Sequence, residues 1–187
     1  MGPRVNDADI RDRLHAEFDK DGIPWVDEIN VKDCRVDMVA MIDDVLTGIE
    51  IKSDKDTLKR LVKQYALYDH RFRQVLVVTE PRHVEGVRAT VGDRCGIWVC
   101  EEQENGFFLR TRSRKFGTRK PRPRAKAHSA RIVYGLRRLE LLQALGLDET
   151  SAMPKSEAAE RVTRELSTEA IERVAIEAWQ RRKTTGE

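Results

Sequence analysis

The sequence predicts an α/β fold, with a mixed central sheet flanked by helices and a small helical extension at the C-terminus. Apolar runs of strand-like composition alternate with segments of helical periodicity, a pattern typical of α/β proteins. The run from Gln74 to Thr79 is almost continuously apolar, as expected of a strand covered on both faces. Two further runs flank Asp43-Asp44, a short polar pair that fits a hairpin turn.

The first half of the chain supplies a helix, three strands and a second helix. The apolar side chains of the first helix recur every four residues at Ile10, Leu14 and Phe18. This helix is expected to be capped by Asn6 or Asp7 and to end near Gly22. Strands are expected over 25–31, 35–42 and 46–52. A second helix is expected to run from a capping box of Ser53 and Asp56 to about His70.

The second half completes the core and adds a basic segment and more helices. Core elements are expected over 74–79, 84–91 and 97–100, with an edge strand over 107–109. Helices are expected over about 131–145, ended by Gly146, and over 155–166, followed by one capped by Ser167. These elements divide into an α/β core (1–112), a basic, proline-containing linker or arm (113–130) and a helical module (131–187).

Charge is distributed very unevenly along the 187 residues. The net charge is +3, yet the 35 residues between Glu104 and Glu140 hold 12 Lys or Arg and no acid, so the rest of the chain carries −9. Such a segment attracts a polyanion such as DNA. The candidate DNA-binding residues are Arg112, Arg114, Lys115, Arg119, Lys120, Arg122, Arg124 and Lys126.

Several classes of protein are excluded by composition. No apolar run approaches the ~20 residues that span a membrane, and the N-terminus has no apolar signal region, so we expect a cytoplasmic protein without a membrane partner. The three cysteines form no Cys-x-x-Cys pair, which argues against a disulfide framework and a four-thiolate metal site.

The predicted hairpin brings chemistry-bearing side chains together. If Asp43 and Asp44 form a two-residue turn, Asp37 lies directly opposite Glu50, and Lys52 shares the face of Glu50. Opposed carboxylates destabilise a sheet unless a cation neutralises them, and a hard divalent ion does so through oxygen ligands. The alternative is a structural ion pair between Asp37 and Lys52.

The pattern of Val36-Asp37 followed, thirteen positions after Asp37, by Glu50-Ile51-Lys52 resembles the PD-(D/E)XK nuclease superfamily, whose core is restriction-endonuclease-like. The order of elements is similar, and Gln64 with Tyr68 resembles the Gln-x-x-x-Tyr motif of the RecB-like branch. The run Glu50 to Leu61 is similar to small bacterial and phage nuclease-like proteins. The resemblance covers roughly residues 5–100. Val36 stands where the nominal signature has proline.

The resemblance implies a role for each matching residue. Asp37, Glu50 and the Ile51 carbonyl would hold Mg²⁺, for which Mn²⁺ can substitute, and Lys52 would serve the nucleophilic water. An upstream acid would be Glu28, with Glu17 as the alternative. Gln64 and Tyr68 would orient Lys52 or the DNA, although Tyr68 also fits an ordinary core position.

The function that follows is a metal-dependent DNA nuclease, expected to be an endonuclease in DNA repair, recombination or the processing of phage and mobile-element DNA. A homodimer would supply the two active sites that a double-strand cut needs. One alternative is an inactive DNA-end or junction binder on a nuclease scaffold. Another is a nuclease that acts on RNA.

Overall fold

Six strands of the described part of the chain form one sheet in which spatial order follows chain order. The structure is a computed structural model and describes residues 6–31, 34–53, 56–92, 95–103, 106–111 and 125–186. Strand β3 pairs with β4, and β4 with β5, in parallel, while the other neighbours are antiparallel. The strands are β1 (Trp25–Val31), β2 (Cys34–Ile42), β3 (Val45–Lys52), β4 (Gln74–Thr79), β5 (Gly96–Gln103) and β6 (Gly106–Thr111).

Within the described ranges, seven α-helices surround this sheet. They are α1 (Asp7–Lys20), α2 (Leu61–Arg71), α3 (Val84–Val91), α4 (Ala125–Gly135), α5 (Arg138–Ala144), α6 (Lys155–Glu165) and α7 (Thr168–Thr185), with short 3-10 turns at Leu58–Arg60 and Pro81–His83. The predicted α/β class, with a mixed sheet, flanking helices and a C-terminal helical extension, is confirmed. None of the helices in the described ranges is long and apolar enough to cross a membrane.

The β2–β3 hairpin has the predicted turn and register. Asp43 and Asp44 have φ values of 51° and 59°, as a two-residue type I′ turn requires. Ile42 pairs with Val45, and the ladder continues to Met38 and Ile49. This register fixes which side chains reach each face of the sheet.

Two apolar clusters cover the two faces of the sheet. On one face, Ile49 and Ile51 pack with Leu14 and Phe18 of α1. On the other face, Leu46 and Val77 pack with Tyr68 of α2 and with the C-terminal helices. Because side chains alternate along a strand, Glu50 and Lys52 belong to the α2 side.

The C-terminal helices share the core of the sheet. Ile132, Val162 and Trp179 belong to the same buried cluster as Val39 and Val77. The Gln180 side chain donates to the Trp25 carbonyl at 3.0 Å. The hydrophobic core therefore extends across the proposed boundary between the α/β core and the helical module.

Two predicted helix boundaries were wrong. Helix α4 already begins at Ala125, inside the predicted linker, where Ala125, Ala127 and Ala130 favour helix and no further proline follows Pro123 before residue 130. The single helix expected over 131–145 is two helices, because the Glu140 carboxylate accepts the Arg137 N–H at 2.6 Å and caps a new one. Gly146 does end α5, with a φ of 71°.

The approach to α2 also differs from the prediction. Both the N–H and the hydroxyl of Ser53 donate to Asp56, at 2.9 and 2.8 Å, so Asp56 accepts from Ser53 in a local turn. A 3-10 turn follows, and α2 starts only at Leu61. Cys95 and Cys100 are free thiols, as the lack of a disulfide framework predicts, and both are buried.

Candidate active site

Asp37 lies where β2 separates from β3. The paired register ends at Met38 and Ile49, one residue short of the predicted Asp37–Glu50 pair. Two contacts replace the ladder there: Asp37 Oδ2 accepts the Ile51 N–H at 3.0 Å, and the Asp37 N–H donates to the Tyr68 hydroxyl at 2.9 Å. The Asp37 carboxylate is therefore fixed against β3 without regular strand pairing.

Glu50 and Lys52 are buried beside it. Their side chains are 2 % and 3 % exposed, and Lys52 Nζ donates to Glu50 Oε1 at 2.5 Å. Glu50 Oε2 is also buried and has no hydrogen-bond partner within the described part of the chain. Lys52 therefore neutralises Glu50 by direct contact, whereas it acts on Asp37 only through its electric field.

The Asp37 carboxyl is easier to protonate than an ordinary aspartate. Burial, followed by the negative charge of Glu50, raises the pKa of Asp37 to about 6, against the lowering effects of the Ile51 N–H, Arg11 and Lys52. Desolvation disfavours the charged form, and a neighbouring like charge adds to that effect. The site is therefore short of positive charge.

Tyr68 reaches the carboxylates from α2. Burial, then the charges of Glu50 and Asp37, raise the pKa of Tyr68 well above its usual value, and a side-chain hydrogen bond with Glu50 adds to the effect, so Tyr68 remains a neutral phenol. Gly48 makes room for its ring: a Cβ there would lie 2.9 Å from Tyr68 Cδ1 and 2.5 Å from Phe72 Cδ2. Gly48 therefore allows Tyr68 to approach β3, a role that the sequence analysis missed.

Arg11 is a second residue that the sequence analysis missed. From α1 it donates to the Asp37 carbonyl at 2.8 Å and lies 3.8 Å from Asp37 Oδ1. Asp7 and Asp27 bind the same guanidinium, at 2.7 and 3.2 Å. Its position beside the buried Ile10 was a weak signal, because the contact depends on how α1 crosses the sheet.

The structure brings only some of the other predicted site residues to the carboxylate pair. Gln64 lies one helical turn before Tyr68, and its Oε1 is buried without a described partner. Glu28 has a φ of 51°, and its half-exposed carboxylate is bound by Arg35 at 2.7 Å. Glu17 is bound by Arg13 within α1. The structure thus joins Asp37, Glu50, Lys52 and Tyr68, while both upstream acids are bound elsewhere.

The predicted DNA-binding arm lies almost wholly outside the described residues. This applies to Arg112, Arg114, Lys115, Arg119, Lys120, Arg122 and Arg124. Lys126 falls in the first turn of α4, where the backbone alone is described. Their contribution to DNA binding stays a prediction.

The carboxylate pair could accept one hard cation. Mg²⁺ is commonly bound by one or two protein carboxylates, with water and phosphate completing its shell. The unpartnered Glu50 Oε2 and the poorly neutralised Asp37 carboxyl fit that donor set. Among the described residues no group of three His, Cys, Asp or Glu side chains could hold a metal ion, so such a cation would depend on these two acids, backbone and solvent.

Comparison with known proteins identifies the family. The family model described as bacteriophage P4 protein cII matches residues 19–186, which is about nine-tenths of the chain. The chain belongs to the bacteriophage P4 protein cII family. The matched range contains all six strands and the C-terminal helices, so those helices belong to the family's common sequence. No curated protein and no solved structure matches the chain.

Proposed function

We propose that this protein is a divalent-metal-dependent nuclease that hydrolyses DNA phosphodiester bonds. The observation that carries the proposal is Glu50 Oε2, which has no hydrogen-bond partner among the described residues and belongs to a carboxylate 2 % exposed, beside a second, partly buried acid, Asp37. A buried carboxylate oxygen without a donor costs on the order of 1–3 kcal/mol or more. That cost makes sense if the oxygen has a ligand in the working protein.

Charge favours a cation as the ligand. Asp37 and Glu50 together carry two negative charges when ionised, and Lys52 contributes one positive charge. Arg11 faces Asp37 at 3.8 Å but is shared with Asp7 and Asp27. A divalent ion would remove the remaining repulsion, and both carboxylates would then be ionised at neutral pH.

Each protein group has a defined part in the proposed reaction. A bound Mg²⁺ or Mn²⁺ would polarise the scissile phosphate and acidify a water. Asp37 and Glu50 would hold the ion, and the Ile51 carbonyl is proposed as a third ligand from the resemblance described above. Lys52 would orient the attacking water and stabilise charge on the phosphate. Tyr68 holds the Asp37 backbone in place through its hydroxyl.

The biological setting belongs to the same proposal. The family takes its name from a bacteriophage P4 protein, which supports a role in phage or mobile-element DNA. The cytoplasmic location and a homodimeric state remain predictions from sequence.

Cleavage of DNA tests the proposal directly. Supercoiled plasmid and a labelled linear duplex would be incubated with Mg²⁺, Mn²⁺ or EDTA. Wild-type protein should nick or digest DNA only with the metals, and Glu50→Gln should lower the rate by at least about 100-fold. The matched control is Glu85→Gln, which removes the charge of a side chain 82 % exposed on α3 and should cut like wild type.

The same assay separates the alternatives. Equal cutting by Glu50→Gln and wild type would exclude the assigned site. Salt-sensitive DNA binding without cleavage in either metal would support a DNA-end or junction binder, and the direct Lys52–Glu50 ion pair is what favours that second candidate. Faster cleavage of RNA than of DNA at matched salt would change the substrate class.

A further inference from the structure

We propose that Arg60 binds a DNA phosphate within about four nucleotides of the scissile phosphate, with Lys59 and Lys63 beside it. This inference rests on the proposed function, because it extends the carboxylate pair into a binding surface for the same substrate. It assigns a DNA contact to the described α/β core, separate from the basic arm.

The first observation is the spacing along α2. Arg60, Gln64 and Tyr68 follow one another at intervals of four residues, so they form one stripe along the helix. Tyr68, at one end, accepts the Asp37 N–H at 2.9 Å. Each step of four residues advances about 6 Å, which puts Arg60 about 12 Å from Tyr68 along the axis. A DNA strand rises about 3.4 Å per nucleotide, so this distance corresponds to roughly four nucleotides.

The second observation is the charge at the start of α2. Lys59, Arg60 and Lys63 are exposed and form no hydrogen bond or ion pair with other described residues. The first turns of the 3-10 segment and of α2 contain no acid, and no side chain caps either one. The partial positive charge of the helix N-terminus adds to the three cations and favours a phosphate.

The third observation is an unpartnered polar atom between the cations and the carboxylates. Gln64 Oε1 is buried in the middle of the stripe and has no hydrogen-bond partner among the described residues. Rotation of the Gln64 amide would offer N–H donors to a phosphate oxygen. The stripe therefore leads from the exposed cations, past the unsatisfied amide, to the carboxylate pair. A DNA strand entering the site would meet these groups in that order.

Binding measured without divalent metal tests this surface separately from catalysis. A labelled linear duplex would be titrated in EDTA over a series of KCl concentrations with wild type, Arg60→Gln and Arg164→Gln. The control, Arg164→Gln, removes the same charge from an arginine 69 % exposed on α6. Arg60→Gln should weaken binding about 5-fold and reduce the slope of log K against log salt by about 0.9, the value for one phosphate contact. Arg164→Gln should leave both unchanged.

Each outcome assigns success or failure to one claim. Equal slopes for Arg60→Gln and Arg164→Gln, with a wild type that cuts DNA, would overturn the inference and leave the nuclease intact. An Arg60-dependent slope with no cleavage in Mg²⁺ or Mn²⁺ would retain the DNA surface and overturn the nuclease. An RNA duplex that competes better than DNA at matched salt would show that the inferred partner is wrong.

Discussion

The two ends of strand β3 meet buried carboxylates in opposite states. Near the start, Glu172 of α7 is 0 % exposed and fully bonded: Arg73 donates to both of its oxygens at 2.7 Å, and the Leu46 N–H donates to Oε2 at 3.1 Å. Near the end, Glu50 is 2 % exposed, and its Oε2 accepts nothing from the described residues.

The difference separates structure from function. A buried acid that is bonded on both oxygens by a guanidinium and an amide has completed its interactions within the protein. An acid that lies beside a second carboxylate and has one oxygen without a hydrogen-bond donor has not completed its interactions, so it can still bind a cation. Glu172 therefore ties α7 to the sheet, whereas Glu50 is available to a ligand.

Removing each carboxylate should give the largest contrast. Glu172→Ala leaves the largely buried Arg73 with only the half-exposed Glu169 as its ion-pair partner among the described residues and should lower the free energy of unfolding by about 3–5 kcal/mol. Glu50→Gln also takes a carboxylate from the buried Lys52, but it relieves the repulsion with Asp37 and leaves that acid to offset the lysine charge, so the loss should be smaller, about 1–2 kcal/mol. Urea unfolding in EDTA measures both variants.

A control on the same arginine makes this contrast quantitative. Glu169→Ala removes a half-exposed acid that contacts Arg73 at 3.2 Å, and it should cost less than about 1 kcal/mol. If Glu50→Gln destabilised the protein as much as Glu172→Ala, Glu50 would be a structural acid and the comparison would fail.

The protonation of Asp37 should make stability depend on pH. Its folded pKa of about 6 exceeds the unfolded value, which is about 3.9. Between these values the folded state binds more protons, so this contribution is present below pH 4 and is lost as pH rises through 6. The loss should be roughly 2–3 kcal/mol.

Asp37→Asn isolates that contribution. Asparagine retains an oxygen for the Ile51 N–H but does not titrate. The difference in unfolding free energy between wild type and Asp37→Asn, measured in EDTA from pH 4 to 8, should therefore change between about pH 4 and pH 6 and become constant above the folded pKa. A constant difference would mean that Asp37 has an ordinary pKa. Mg²⁺ should stabilise wild type above pH 6 and leave the variant unaffected.

Local sequence signals predicted the parts of the site that depend on strand geometry. The Asp43-Asp44 turn set the register, and the register brought Asp37 to the region of Glu50 and Lys52. Gly48 and Arg11 were not predicted, because their roles arise where α2 and α1 cross the sheet. The break between α4 and α5 was missed for the same reason: Glu140, which caps α5, is also bound by Arg182 of α7, far away in sequence.

Filling the space at Gly48 should disturb the site by packing alone. Gly48→Ala pushes on Tyr68 and Phe72 and should cost about 1–3 kcal/mol of stability. Cleavage should fall with it, because Tyr68 would lose its contact with the Asp37 N–H. Gly135→Ala is the matched control, since its Cβ would lie 3.7 Å from the nearest atom, an ordinary contact. Equal stability of both variants would contradict the close approach of Tyr68 to β3.

The smallest expected effect concerns Arg11, which lowers the pKa of Asp37 through its positive charge. If Asp37 must be ionised to hold the metal, cleavage should rise with pH through its pKa. Arg11→Gln removes the lowering charge, so the acid limb of the pH–rate profile should move up by about half a unit to one unit.

Arg11→Lys distinguishes this electrostatic role from a purely structural one. Lysine retains the positive charge but cannot donate in the same geometry to the Asp37 carbonyl and to Asp27. A profile that returns towards wild type in Arg11→Lys would assign the effect to charge. If both variants cleave more slowly at every pH while the acid limb of the pH–rate profile stays where it is in wild type, Arg11 only fixes α1 to β2. The contrast between the two ends of β3 would then rest on Glu50 and Glu172 alone.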